Sequence, residues 1–263
     1  MSNSQSDSQP SSSLGREFTT THWSVVLIAG GAASGAADSA LEHLCRTYWY
    51  PLYAYVRRQG HSESDAQDLT QSFFARLLER KYLQLADRNQ GRFRTFLLTS
   101  LKHFLINDWK KENREKRGAG QRALSLDEEM AESRFAAEPA IAQPADTLYD
   151  RGWATVLLER ATTALKAEFE RSGKLELFER FKVCVLAEQS DLSYTKLALE
   201  LGMKENAVRV AAHRLRQRYG ELLRVEVAQT VSTPAEVNEE LRYLVSVLRD
   251  NHGAVSNNAE KTL

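Results

Sequence analysis

The chain has 263 residues with 35 Lys or Arg and 35 Asp or Glu, so its formal net charge is zero. This length allows one large or two small domains, and the balanced charge excludes a uniformly basic coating. Cys45 and Cys184 are the only cysteines, which argues against a disulfide framework or a zinc site and favours buried thiols. No apolar run reaches membrane-spanning length and the N-terminus does not resemble a signal peptide, so we predict a cytoplasmic protein without membrane contact. Strand signals are scarce, which predicts an all-α fold.

Charge is segregated along the chain. Residues 102–122 carry seven Lys or Arg against three acids, and residues 204–224 carry six against two. Residues 125–150 carry seven acids and one Arg. Two basic blocks separated by an acidic one suggest two nucleic-acid-facing modules with an acidic connector. Solvated helix faces joined by a polar loop are the alternative explanation.

The first half of the chain contains several predicted helices. Residues 1–17 are Ser-rich and predicted to be disordered. A helix near Trp23 is followed by one through Tyr48 to Arg58, in which Pro51 introduces a kink or restart. Ser62 or Ser64 can cap the next helix, within residues 60–83. A polar loop at 84–93 then precedes a long helix over 94–114, whose aromatic residues at helical spacing are more often core than stacking platforms for bases.

The second half begins with an acidic, Gly-, Ala- and Pro-containing segment at 118–147, which predicts a largely irregular linker. Helices around Trp153 and Phe178 follow. Thr233 is the predicted cap of a final helix over 235–249. This last helix can pack on its own domain, hold an inhibitory contact with the first half or bind a regulator, and packing on its own domain is the favoured interpretation.

Residues 193–218 resemble two short helices joined by a tight turn at Gly202. Val208, Ala212, Leu215 and Tyr219 form one apolar stripe on the second helix, while Asn206, Arg209, His213 and Arg216 fall on another face. Arg and Asn can form paired hydrogen bonds with base edges, which favours a DNA-binding helix-turn-helix. An ordinary helical hairpin with a solvated basic face is the alternative.

Three sequence stretches occur in an informative order: DAQDLTQSFFARLL, then GRFRTFLLTSLKHFLINDWKK, then SYTKLALELGMKENAVRVAAHRLRQR after an acidic linker. In this order they resemble a bacterial RNA polymerase sigma factor of the extracytoplasmic-function type, in the sigma-70 family. The first two stretches resemble region 2 and the third resembles region 4. The resemblance implies a transcription initiation factor that is not an enzyme, needs no cofactor and binds core RNA polymerase and promoter DNA.

The resemblance also implies a division of the chain. Residues 18–117 would form the region 2 domain, 118–147 the linker, 148–226 the region 4 domain and 227–263 a C-terminal extension and tail. Control by an anti-sigma factor, by a regulatory kinase or by this extension is left open.

Site residues follow from the same resemblance. The helix that would dock on polymerase carries five candidate contacts: Asp65, Asp68, Leu69, Gln71 and Phe74. The loop and helix that would bind the minus-10 element carry Arg92, Phe93, Lys102, His103, Asn107, Lys110, Lys111 and Arg114. The helix that would enter the major groove at the minus-35 element carries Lys204, Asn206, Arg209, His213, Arg214 and Arg216.

Two other classes of protein compete with this interpretation. A helix-turn-helix regulator acting without polymerase would explain the third stretch but leaves DAQDLTQSFFARLL and the first basic block without a role. An enzyme is not supported, because the sequence contains no P-loop, dinucleotide fingerprint, paired metal ligands or nucleophile motif.

Overall fold

The computed structural model describes residues 35–77, 91–107, 128–138, 143–183 and 194–249. Across these ranges the chain forms nine α-helices, one short 3-10 helix and no strand, which confirms the predicted all-α fold. The predicted first helix near Trp23, the loop at 84–90, and both chain ends lie outside the described residues.

Four helices make up the first half of the described chain. They are α1 (Gly35–Arg58), α2 (Glu63–Leu77), α3 (Phe93–Asn107) and α4 (Glu128–Ala137). Helix α1 continues through Pro51, and α2 begins directly after the predicted cap. Ser62 Oγ accepts the backbone N–H of Asp65 at 3.1 Å, which confirms Ser62 as the capping residue.

Five helices make up the second half. They are α5 (Ala145–Arg171), α6 (Leu175–Phe181), α7 (Tyr194–Leu201), α8 (Glu205–Ala228) and α9 (Val237–Arg249). A 3-10 helix at Pro234–Glu236 leads into α9. Thr233 occupies the N-cap position of this 3-10 helix, as predicted, but its side chain makes no capping hydrogen bond. The Glu236 carboxylate instead accepts the backbone N–H of Ser232 at 3.1 Å.

Helix α4 lies inside the segment predicted to be irregular, so that prediction was wrong for residues 128–137. Long-range contacts with α1 stabilise this helix. The Glu132 carboxylate accepts two hydrogen bonds from Arg57, at 2.7 and 3.0 Å. The Phe135 ring lies 4.9 Å from the guanidinium carbon of Arg57. A propensity argument on the linker alone could not include these partners, which are about 75 residues away in sequence.

The larger of two hydrophobic cores, here called the first core, combines helices from both halves of the chain. Tyr48 of α1 stacks on Trp153 of α5, with ring centroids 3.9 Å apart and planes 9° apart. Phe93 of α3 lies 6.2 Å from each of these rings. Of the aromatic residues predicted to be core, those of α1 and α2 and Phe104 of α3 are buried here, and Phe96 of α3 is partly buried. Trp109 lies outside the described residues.

The second core lies at the other end of α5 and α8. Leu165 of α5 and Phe178 of α6 pack there against the apolar faces of α7 and α8. Val208 and Ala212 are 0% exposed and Leu215 is 5% exposed, which confirms the predicted apolar stripe of α8. Helices α5 and α8 thus contribute to both cores.

Helix α9 packs against α5 and α8. Its buried Leu244 belongs to the first core, the core that also contains α1, α2 and α3. The contacts with α5 and α8 agree with the favoured interpretation, packing on residues 148–226, and Leu244 adds a contact with the core of the first half.

Candidate nucleic-acid interface

The outer face of α2 presents three polar residues from the predicted polymerase contacts. Asp65 and Asp68 are exposed and Gln71 is partly buried, and their spacing of three places them along one side of the helix. Asp65 also accepts a hydrogen bond from the Ser62 hydroxyl at 2.7 Å, which orients its carboxylate beside the helix start. This edge is acidic and open to a partner.

Leu69 and Phe74, the other two predicted polymerase contacts, lie on the opposite side of α2. They are 5% and 0% exposed and belong to the first core. Their side chains hold α2 against the rest of the molecule. A partner docking on this conformation would touch only the polar edge.

The start of α3 brings Arg92 and Phe93 to very different environments. Phe93 is fully buried against Tyr48 and Trp153, so in this conformation it is a core residue and does not offer its ring to a base. Arg92 is partly exposed and forms ion pairs with Glu239 and Glu240 of α9 at 2.7 Å each. In this conformation the guanidinium group of Arg92, a predicted DNA contact, is therefore already paired with acidic side chains.

Further along α3, Lys102 and His103 reach the surface. The Lys102 ammonium donates to Asp146 of α5 at 2.6 Å and lies 5.8 Å from the ring of Tyr55. The hydrogen bond to Asp146 raises the pKa of Lys102. The described part of α3 runs to Asn107, and the remaining predicted contacts lie outside the described residues. Those are Lys110, Lys111 and Arg114.

A tight turn joins α7 to α8. Gly202 has φ +62°, the left-handed conformation predicted for a glycine at this helix end. The N–H of Gly202 donates to the Leu199 carbonyl at 3.3 Å, and that of Met203 donates to the Ala198 carbonyl at 3.0 Å. These two bonds form a Schellman motif, which satisfies the last carbonyls of α7 and sends the chain into α8.

The exposed face of α8 is strongly basic. Residues 204–218 carry five Lys or Arg and one Glu. Of the residues predicted to contact the minus-35 element, five are exposed on the described chain. They are Lys204, Asn206, Arg209, His213 and Arg214.

Arg209 is oriented by its neighbours on this face. Its Nε and Nη2 donate to the same carboxylate oxygen of Glu205, at 3.0 and 2.7 Å. Its guanidinium carbon lies 4.7 Å from the ring of Tyr194 in α7. Hydrogen bonds from Arg209 and then from Thr195 lower the pKa of Glu205. The forked donors of Arg209 are thus held near the N-terminal end of α8.

Arg216, the sixth predicted contact, is partly buried. Its Nη2 donates to the Tyr194 hydroxyl at 2.9 Å, so it ties α8 to α7 as well as facing outward. Arg218, which was not predicted as a site residue, forms ion pairs with Glu168 at 2.6 Å and Glu221 at 2.8 Å.

The sequence analysis missed a cluster of charged residues at the start of α3. Arg94 is 6% exposed and donates to Glu240 at 2.7 Å and to Asp150 at 2.5 Å. The Tyr243 hydroxyl also donates to Asp150. Burial alone would lower the pKa of Arg94, but the carboxylates outweigh that effect and raise it. The stretch GRFR shows two arginines two residues apart, but no local signal identifies partners 56 and 146 residues away.

The part of the chain that the structure describes contains no group of three or more His, Cys, Asp or Glu residues placed to hold a metal ion. None of its helices is long and apolar enough to cross a membrane.

Residues 44–115 match the family model of sigma-70 region 2. The match covers less than half of the chain and includes most of α1, all of α2 and α3 and the exposed edge of α2. It supports a sigma-70 family sigma factor, a class of transcription initiation factor that works with RNA polymerase and is not itself an enzyme. No curated protein and no solved structure is significantly similar to the chain.

Proposed function

We propose that this protein is a promoter-specificity factor of the extracytoplasmic-function type. It binds core RNA polymerase, directs it to specific promoters and helps melt the minus-10 region, acting in the cytoplasm. The observation that carries this proposal is the match of residues 44–115 to sigma-70 region 2, on helices whose exposed edge presents Asp65 and Asp68.

The polymerase contact is assigned to the polar edge of α2. Asp65, Asp68 and Gln71 are accessible, while Leu69 and Phe74 support them from the core. Charged side chains at an interface act on partner choice and orientation because they are desolvated only when the complementary charge is present. The acidic edge therefore suits a basic surface on the polymerase.

The upstream promoter contact is assigned to α7 and α8 as a helix-turn-helix. The glycine turn, the buried stripe of α8 and its basic outer face support this assignment. Arg209 is the proposed base-reading residue because its guanidinium fork matches the two acceptors of guanine. His213 lies one turn further along the same face.

The melted strand is assigned to α3 and the residues that follow it. Lys102 is partly exposed and His103 is exposed there, and Lys110, Lys111 and Arg114 follow in sequence. The basic block at 102–122 would neutralise phosphates of the separated strand, which makes its binding dependent on salt concentration.

Run-off transcription with core polymerase tests the proposal. Adding the protein should produce transcripts from a subset of genomic fragments that core polymerase alone does not transcribe. Asp68→Ala should weaken core binding by about 2 kcal/mol or more while helical content is unchanged. Glu176→Ala on α6 is the matched control, because Glu176 is also exposed and acidic but lies far from α2 in sequence.

Two outcomes would count against the proposal. Equal core affinity of wild type and Asp68→Ala would remove Asp68 from the polymerase contact. Specific DNA binding without any affinity for core polymerase would favour the alternative, a helix-turn-helix regulator that acts alone.

A further inference from the structure

The N-terminal end of α3 is covered by the chain segment that follows α8. The backbone N–H of Phe93 donates to the carbonyl of Thr230 at 2.9 Å, and the Ser232 hydroxyl donates to the Gly91 carbonyl at 2.9 Å. The first N–H groups of a helix have no partner within the helix and carry a partial positive charge. The C-terminal segment therefore occupies a position that favours an anion.

Carboxylates of α9 extend this coverage to the side chains. Arg92 forms ion pairs with Glu239 and Glu240, and Arg94 forms ion pairs with Glu240 and Asp150, all between 2.5 and 2.7 Å. The Tyr243 ring centroid lies 4.3 Å from the guanidinium carbon of Arg94 and 5.9 Å from that of Arg92. Two cations beside a helix start are thus met by three carboxylates.

The two arginines differ in how firmly they are held. The Glu240 and Arg94 side chains are 1% and 8% exposed, so this pair is sealed inside the protein. The Arg92 side chain is 25% exposed and that of Glu239 is 66% exposed. Exchange of one anion for another is therefore feasible at Arg92 and Glu239, while the pair beneath them anchors α9.

Carboxylate and phosphate are alternative ligands for the same guanidinium fork. Two adjacent glutamates at the N-terminal end of α9 point their charges at this site. These glutamate carboxylates offer Arg92 the negative charge and hydrogen-bond acceptors that the phosphates of a nucleic-acid strand would offer.

We propose that residues 229–249 are an autoinhibitory segment whose Glu239 competes with backbone phosphates of single-stranded DNA for Arg92. This inference rests on the proposed function in one respect, the assignment of Arg92 to the melted strand. In the closed conformation the phosphate site is filled from within the chain. The apparent association constant for DNA is then the intrinsic constant multiplied by the fraction of molecules in which the site is open.

Glu239→Gln tests the competition most directly. The change keeps the shape of the side chain and removes its charge, and substitutions at exposed positions such as this one leave the fold intact. We expect binding of a fluorescent single-stranded oligodeoxynucleotide to become about two- to fivefold tighter, the range set by exposed ion pairs. Adding Arg92→Ala to this variant should abolish the gain.

Glu176→Gln on α6 is the matched control, since it removes one exposed negative charge elsewhere on the chain. The control should leave oligonucleotide affinity nearly unchanged. Equal affinities of Glu239→Gln and wild type would overturn the proposal. An equal gain from Glu176→Gln would also overturn it, because the effect would then be general electrostatics.

A second readout separates this inference from the proposed function. Amide exchange at the N-terminal end of α9, beside Glu239, should become faster when the oligodeoxynucleotide is added to wild type, because DNA displaces Glu239. If the protein fails to bind core polymerase but shows these effects, the proposed function fails and the competition stands. If transcription depends on the protein but exchange and Glu239→Gln show no effect, the competition fails alone.

Discussion

At the scale of single residues, burial separates charged side chains that stabilise the fold from those that can meet a partner. Arg94 is nearly sealed and joins α3, α5 and α9 through Asp150 and Glu240. Lys102, two turns further along α3, holds Asp146 where both side chains remain open to water. Removing the cation should therefore lower the free energy of unfolding more at the buried Arg94 than at Lys102.

We expect Arg94→Ala to destabilise the protein by about 3 to 5 kcal/mol, because Asp150 and Glu240 would be left without a compensating charge. Lys102→Ala is the exposed counterpart and should cost no more than about 1 kcal/mol. Chemical denaturation of both variants measures the difference. A similar loss of unfolding free energy in the two variants would show that burial does not determine how much these ion pairs stabilise the fold.

Arg209 is one of the charged side chains that can meet a partner, because it is exposed and is held by Glu205 at the start of α8. Arg209→Ala should cost about 1 to 3 kcal/mol at one base pair and relax discrimination there. Arg214→Ala should instead weaken binding on all sequences by a similar factor, as loss of a phosphate contact does. Selection from a promoter library randomised upstream of the melted element compares the two variants with wild type. Unchanged sequence preference in Arg209→Ala would shift the reading role to Asn206.

At the scale of secondary-structure elements, the α7–α8 turn depends on one backbone conformation. Gly202 has a positive φ, and a Cβ built there would have no neighbouring atom within 4 Å. Space is therefore not the constraint at this position. The cost of a side chain would come from the left-handed backbone itself.

Gly202→Ala should destabilise the protein by about 1 to 2 kcal/mol through this backbone cost. Gly220 provides a matched control within α8, where a Cβ would lie 3.7 Å from Arg224 Nη1, an ordinary contact. Gly220→Ala should stabilise the protein by up to about 1 kcal/mol, since alanine favours the helix. Thermal unfolding of the two variants should therefore shift in opposite directions, and shifts in the same direction would contradict the argument.

Helix α4 is held on α1 by a titratable group. Hydrogen bonds from Arg57, the largest influence, lower the pKa of Glu132 below its ordinary value of 4.5. Because the folded-state pKa is depressed, this stabilisation is present above pH 4.5 and is lost as pH falls through the lower value. We expect α4 to detach from α1 as the solution is made acidic.

Amide exchange within α4, followed from neutral to acidic pH, measures this detachment. Glu132→Gln removes the titrating carboxylate, so α4 in that variant should be less protected at neutral pH and less sensitive to acid. Wild-type protection that stays constant throughout the acidic range would mean that Phe135 and Ala131 hold α4 without the ion pair.

At the scale of the whole molecule, two long helices join the two cores. Helix α5 contributes Trp153 to the first core and Leu165 to the second, and α8 contributes Val227 and Val208 in the same way. Because each helix is continuous, loosening one core removes support from the other. The proposed boundaries at 118–147 and 226 stay a prediction that unfolding experiments can address.

We expect one cooperative unfolding transition for the described cores. Two of the four tryptophans, Trp49 and Trp153, are buried in the first core, so tryptophan fluorescence reports on that core. Phe178→Ala in the second core should cost about 3 to 5 kcal/mol and shift the fluorescence transition as well as the circular dichroism transition. Leu199→Ala should shift neither, because Leu199 is 80% exposed. A fluorescence midpoint that does not move in Phe178→Ala would indicate two independently unfolding units.

The sequence by itself determined the helical class, the buried stripe of α8, a serine cap at Ser62 or Ser64 and the Gly202 turn. These features follow from local rules: helical periodicity selects the buried face, and caps and glycine turns involve residues within a few positions of each other. Only the tertiary structure decided the helicity of α4, the position of α9 and the partners of Arg92 and Arg94. Those features depend on contacts between residues 56 to 147 positions apart, whose energies no local pattern contains. Which charged side chains form such pairs depends on which helices pack together in the two cores.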